Sequence, residues 1–260
     1  YNNNIFNNLV GIFLPTNNNQ PSVMHYFLNK IYSNTYGVYG YNSREVSYAK
    51  IGNYWGRSAS PCFVAGVDSN RADVKDSYPY CTSVPPSSML ISIPTTGWYF
   101  IGSNIIPINT KVNETLKSVA GSYEVIQSYI NGVNKQYKPT NPAPLNTLTN
   151  ISPWNGYWLK VKSVPANDLL IVGNKVTGCN PLALNVNQHW IGYWLDSSKP
   201  TATALSSLTG NYEIIRSYEK GVWKTYVPSL PPQFSDLKEM KPGQAYLIKM
   251  TGQDSLDYIC

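Results

Sequence analysis

An internal repeat constrains this chain more than any other feature. Gly121–Tyr129 (GSYEVIQSY) reads almost as Gly210–Tyr218 (GNYEIIRSY), 89 residues later. Held without gaps, Leu116–Ile171 falls onto Leu205–Cys260 with 19 identities in 56 positions. Tyr137/Tyr226, Pro139/Pro228, Leu148/Leu237, Pro153/Pro242, Tyr157/Tyr246, Lys160/Lys249 and Asp168/Asp257 coincide. Self-similarity at a fixed period marks a chain made of like units. Upstream, after a small length change, Trp98–Gly102 (WYFIG) is matched to Trp190–Trp194 (WIGYW). A fainter copy opens the chain. Phe6–Gly11 resembles the Trp98 segment, and Val23, Leu28 and Ile31 precede Tyr36–Tyr41 as Val112, Leu116 and Val119 precede Tyr123–Tyr129. That copy diverges after about Tyr41 and carries an insertion holding Cys62 and Cys81. The expected modules are therefore 1–86, 87–178 and 179–260.

Each unit spells out the same order of elements. A Trp-led apolar segment predicts a strand. Val112, Leu116 and Val119 fall at helical spacing and predict a short amphipathic helix, with Ala204, Leu205 and Leu208 in that role in the last copy. Gly121 and Gly210 stand where a helix C-terminus wants a left-handed residue. Tyr123–Tyr129 alternates with period two and is rich in strand formers. Asn131-Gly132 and Lys220-Gly221 predict hairpin turns. A Pro-rich loop follows, and then a closing strand, Gly156–Val161 or Ala245–Met250. The span Val164–Gln188 is too apolar for a free linker and is expected to add strands that orient the modules. The fold class predicted is mainly β: α+β repeats, each a small β module with one short helix.

These motifs carry a resemblance. The order Trp-x-x-(Leu/Ile)-Gly, short helix, Tyr-rich strand, then Leu-x-x-(apolar)-x-Pro-x-x-Gly-Tyr-Trp resembles the tandem Trp/Gly-Tyr-Trp repeat module of large bacterial extracellular proteins. It covers roughly Ile93–Cys260 well and Tyr1–Tyr41 weakly. Ala245-Tyr246-Leu247 departs from it by losing the second Trp, and Phe6 stands where Trp is expected. The resemblance implies a secreted or surface-exposed, tandem, non-catalytic module.

Composition points the same way. Only 13% of residues are charged, where ordinary globular chains carry roughly 25%. Asn, Ser, Thr and Tyr must keep such a surface wet, which suits extracellular β proteins. The net charge of +6 is scattered over single lysines, without the basic stripe that nucleic acid requires. Cys62, Cys81, Cys179 and Cys260 show no metal-binding spacing, and with two histidines in the chain they favour two disulfides in an oxidising compartment. Four cysteines allow three pairings, and the module-local one, Cys62–Cys81 with Cys179–Cys260, is expected. The first loop would stabilise by about 3 kcal/mol. No apolar run is long enough to span a membrane. The opening residues lack the basic and apolar regions of a signal peptide, so an exported form is expected to be a mature one.

No catalytic constellation stands out. His25 and His189 fall in different modules, and no strand–Ser–helix elbow accompanies them. Glu124 and Glu213, a conceivable glycosidase pair, are repeat equivalents, which explains both. Asp68, Asn70, Asp73 and Asp76 are spaced faintly like a calcium loop but lack its turn Gly and final Glu, and a solvated turn accounts for them as well. No cofactor is expected. The surplus is aromatic. Rings at repeated positions, such as Tyr157/Tyr246 and Trp98/Trp190, are expected in the core. Tyr54, Trp55, Trp154 and Trp223 are the candidate binding surface, because exposed Trp and Tyr give large contact area at low entropic cost.

The function expected is a non-enzymatic extracellular structural or adhesive protein. Its partners would be copies of itself or other cell-surface proteins. Asp257–Cys260 aligns with Asp168–Ile171, so strand-edge pairing at the chain ends could build a filament. A polysaccharide-binding module is the second reading, and an accessory domain of a secreted hydrolase the third.

Overall fold

The computed structural model describes residues 87–258 except 179 and 209, together with four strands in the first 86 residues. Those four are β1 (Asn4–Phe6), β2 (Val10–Leu14), β3 (Lys30–Tyr32) and β4 (Tyr36–Gly40). β1 pairs with β3 and β2 with β4, both in parallel. The chain divides into two compact units, Tyr1–Ser87 and Ser88–Cys260. The modules expected at 87–178 and 179–260 therefore share the second unit. Cys62, Cys81, Cys179, Cys260, His25, Tyr54, Trp55 and the Asp68–Asp76 segment lie outside the described residues.

The second unit is mainly β. Its first half contains β5 (Ser87–Ile91), β6 (Gly97–Ile101), β7 (Ile105–Pro107), helix α1 (Val112–Thr115), β8 (Tyr123–Ile130), β9 (Val133–Tyr137), β10 (Tyr157–Val161) and β11 (Leu169–Lys175). Its second half contains β12 (Leu182–Leu184), β13 (Asn187–Gly192), β14 (Lys199–Pro200), helix α2 (Thr201–Ala204), β15 (Tyr212–Glu219), β16 (Val222–Tyr226), β17 (Glu239–Met240), β18 (Ala245–Met250) and β19 (Asp254–Leu256). Each half builds a four-stranded antiparallel sheet, β6-β10-β8-β9 and β13-β18-β15-β16, in the same order. No helix among the described residues is long and apolar enough to cross a membrane.

The local reasons recur with the sequence. Asn131-Gly132 and Lys220-Gly221 all take positive φ, as a two-residue hairpin turn of the right twist demands. Register shifts at Glu124 and at Glu213 make a bulge in each long strand. The bulged glutamate reaches the next strand, pairing Glu124 with Lys160 at 2.8 Å and Glu213 with Lys249 at 2.6 Å. These carboxylates serve the sheets and face no common site. Alternation then sets the two faces. In β10 and β18, Tyr157, Leu159 and Val161, and Tyr246, Ile248 and Met250, are buried inward. Val112, Leu116 and Val119 from the helical turns close the first core, and Ala204, Leu205 and Leu208 close the second.

Strand pairing corrects the expected match of Trp98 to Trp190. Tyr157 lies opposite Ile101, and its equivalent Tyr246 lies opposite Ile191. The offset in this strand is therefore 90 residues. Phe100 corresponds to Trp190, Gly102 to Gly192, and Trp98 to Gln188. Gly97 and Asn187, equivalent on this register, share an unusual φ of +128° and +124°. The Asp168/Asp257 coincidence also shifts. Ser118 Oγ accepts from Leu170 N–H, whereas its equivalent Ser207 Oγ accepts from Asp257 N–H. A two-residue deletion thus places Leu256 where Leu169 stands. The strand β19 pairs with β12, and Tyr258 is buried against Tyr193 and Trp194.

The halves join through reciprocal backbone contacts. Ile101 bridges to Gln244, and the equivalent Ile191 bridges to Asn155. Gly102 N–H donates to Gly243 O (3.2 Å) and Gly192 N–H to the equivalent Trp154 O (3.1 Å). A contact in which i meets j and j meets i is the geometry of a two-fold pair. A Cβ at Gly102 would collide with the Gln244 carbonyl, and one at Gly192 with the Pro153 carbonyl. Gly192→Ala is expected to destabilise the unit by about 3 kcal/mol, read as a lower urea midpoint with one cooperative transition. An unchanged midpoint would mean that the halves do not meet this closely.

Candidate functional site

The outward faces of the two sheets carry the aromatic surplus. Trp158 follows buried Tyr157 in β10, so alternation turns it away from the first core. Phe100 lies opposite it in β6 and stacks on it at 4.7 Å and 15°. Phe100 then meets its own equivalent, Trp190, edge to face at 5.9 Å. Each hairpin leans onto the other half's sheet: Tyr218 lies 5.1 Å from Trp158, and Tyr129 lies 6.0 Å from Trp190. Such pairs are worth about 0.5–1.5 kcal/mol each beyond the area they bury. The layer is therefore the glue between halves as well as a surface.

One side of the layer opens outward. Trp158 stands between Trp98, 6.0 Å away and perpendicular, and Trp223, 5.6 Å away at 67°. Trp98 and Trp223 are 40% and 43% exposed, too much for core residues of ordinary burial. Lys160 Nζ lies 5.8 Å from the Trp98 ring centroid, within cation–π range. Its hydrogen bond to Glu124 holds that carboxyl below its usual range. Lys249 and Glu213 repeat the ion pair in the other half, but no ring lies beneath them because Gln188 replaces Trp98.

The two-fold relation makes a comparison possible within one chain. At the positions equivalent to Trp98, Trp158 and Trp223 the other side has Gln188, Leu247 and Asn134. The same backbone holds both sets. Three tryptophans on one side are thus more than this fold needs.

Of the expected binding residues, Trp223 belongs to this patch. Trp154 does not: its ring packs edge to face on the buried Trp194 at 4.9 Å, and it is half-buried. Trp98 was expected in the core, and Trp158 was not singled out. The cue for Trp158 was present in the sequence, since Leu247 departs from the repeat at its position. Trp98 was hidden by an apparent match to Trp190 two residues out of register. Among the described residues the hydrogen-bond contact of the His189 ring is with a backbone carbonyl, its Nε2 lying 2.8 Å from Asn185 O. Among the described residues no group of three His, Cys, Asp or Glu could hold a metal.

Compared with known protein families, curated proteins and solved structures, the chain gives no match.

Tyrosines hold the loops that frame the site. Tyr157 Oη accepts from Ser152 N–H at 2.8 Å and lies 3.2 Å from the Ser152 carbonyl, and the equivalent Tyr246 Oη accepts from Lys241 N–H at 2.7 Å. Burial pushes the Tyr157 phenol up to about 12. It also raises Tyr123, Tyr212, Tyr246 and Tyr258. The unfolded chain loses these protons near pH 10 while the folded one keeps them. The associated stability is therefore complete below about pH 10 and lost as pH rises toward about 12. For Tyr157 alone the loss is about 2–3 kcal/mol. Denaturant melts at increasing pH are expected to run flat and then fall together with the rise of tyrosinate absorbance. Ionisation of every tyrosine near pH 10 with the fold intact would contradict this burial.

Proposed function

We propose that this chain is a non-enzymatic extracellular adhesive protein. Its contact surface is the Trp98–Trp158–Trp223 patch, and its partner is a surface polysaccharide. The carrying observation is the asymmetry between the halves, which supports a role for these rings beyond holding the fold together. Exposed indoles present flat apolar faces that match the C–H face of a pyranose ring. They lose little side-chain entropy on binding, which suits a repeated, weak contact. The chain's low charge favours a neutral partner over an acidic one. The extracellular setting rests on the resemblance to surface repeat modules and on the polar, charge-poor composition.

The fold supplies its own test. Trp98→Gln combined with Trp223→Asn installs residues that the other half already accepts at these positions. The double variant is expected to stay folded with one cooperative transition and a thermal midpoint lowered by about 5–10 °C, because it removes the ring contacts to Trp158 and Tyr218 but buries no new group. Retention on immobilised cell-wall or matrix polysaccharide should fall at least tenfold. Equal retention of variant and wild type would refute the patch as the adhesive surface. Absence of wild-type retention on every polysaccharide tried would refute the glycan partner.

A further inference from the structure

The two-fold relation places a second feature opposite the tryptophan patch, and it is concave. A cleft of about 310 Å³ lies between the hairpin tip of the first half, the Trp154–Asn155 segment and the strand β13 with its approach. That volume sits at the small end of ligand sites. Among the described residues its walls contain no Asp, Glu, Lys or Arg. They carry side-chain amides from Asn131, Asn155, Asn185 and Gln188, and aromatic rings from Tyr129, Trp154 and Trp190.

We infer that this cleft is a binding site for a neutral saccharide of one or two rings, separate from the tryptophan patch. Each alternative ligand class meets a chemical obstacle. A phosphate or carboxylate would find no Lys or Arg, and the Nε2 of His189, the histidine in the lining, is already held 2.8 Å from the Asn185 carbonyl. A metal ion would find no carboxylate. A fully apolar ligand would strand several amides away from water, at a penalty for each. A polyhydroxyl ligand gives amides both donors and acceptors, and offers the rings a C–H face.

A further observation marks the cleft as a functional place. The Trp190 ring lines it while its indole N–H is buried in the protein, so that N–H resonance reports on what lies against the ring. Asn187 lines the cleft at φ +124°, where its equivalent in the other half is Gly97. The fold accepts glycine at this corner, yet here it carries an amide side chain in a backbone region costly to non-glycine residues, by about 1–3 kcal/mol. Strain kept where glycine would relieve it is a mark of a functional position.

The test uses the full chain, labelled with ¹⁵N, and glucose, galactose, mannose, N-acetylglucosamine and their disaccharides as probes. The Trp190 indole resonance is assigned by its absence in Trp190→Phe, a change the fold accepts at Phe100. At least one probe is expected to shift this resonance saturably. Asn187→Gly should weaken that probe at least tenfold while raising the thermal midpoint, since it removes strain. The Trp98→Gln/Trp223→Asn variant should bind the probe as wild type does. No shift with any probe would overturn the inference, as would undiminished binding to Asn187→Gly. Retention on polysaccharide lost in the Trp98/Trp223 variant, with no cleft binding in wild type, would leave the adhesive reading standing and this one refuted. The opposite pattern would do the reverse.

Discussion

Two glycines set the distance at which the halves of the second unit meet. Gly102 and Gly192 let one half's strand end run against the other half's loop with no side chain between them. Their N–H groups are then satisfied by Gly243 O and Trp154 O, and the flanking bridges lock both contacts. Because the contact is made twice, reciprocally, it fixes orientation as well as distance. The outward faces of the sheets are brought together as a consequence. A sheet face buried on both sides must become apolar, and this one does so with Phe100, Trp158 and Trp190. The helical turns serve each half alone, and the first half reaches the second core through Trp154 and Val176, so the glycine contact, its aromatic layer and these two side chains carry the coupling.

A two-fold join of two unlike copies yields two unlike surfaces. Each hairpin shelters the rim of the opposite sheet, so two equivalent rims exist. Along one, Trp98, Trp158 and Trp223 project. Along the other, Gln188, Leu247 and Asn134 take their places, and a polar cleft forms beside Trp190. A shared strand order and register with divergent side chains separates what folding demands from what it tolerates. Ser128/Ser217 and Glu124/Glu213 are shared and make the same bonds in both halves, and Tyr157 and Tyr246 accept from equivalent backbone N–H groups. The rims differ wholesale. Function, on this reasoning, is to be sought at the rims.

Much of the architecture was legible in the sequence because it depends on local chemistry. The Asn131-Gly132 and Lys220-Gly221 turns, the period-two strands between them and the helical spacing of Val112, Leu116 and Val119 each act over a few residues. The repeat then doubles every such signal. What resisted reading was register. Trp98 and Trp190 are both tryptophans in apolar strands, and similarity of type outweighed the two-residue shift that strand pairing reveals. In a strand an even shift preserves inside and outside, so alternation raised no alarm. The Asp168/Asp257 coincidence misled in the same way, because identical residues flank a short deletion. The union of modules 87–178 and 179–260 was also illegible, since it rests on glycine–carbonyl contacts between segments far apart in the chain.

The position of Trp154 shows how the same constraint links fold and surface. Its carbonyl is the acceptor that holds Gly192, and its ring seals the second core against Trp194. Its equivalent, Gly243, has a carbonyl that holds Gly102 but no ring to offer. One loop thus closes its side with an indole and shapes one wall of the cleft, while at the other the Ile91 side chain lies against the glycine. The difference is a single side chain on an otherwise shared backbone contact. A reader of the sequence sees an unrepeated tryptophan and infers exposure. The reciprocal join instead makes it the point where the joint between the halves becomes the wall of a binding cleft.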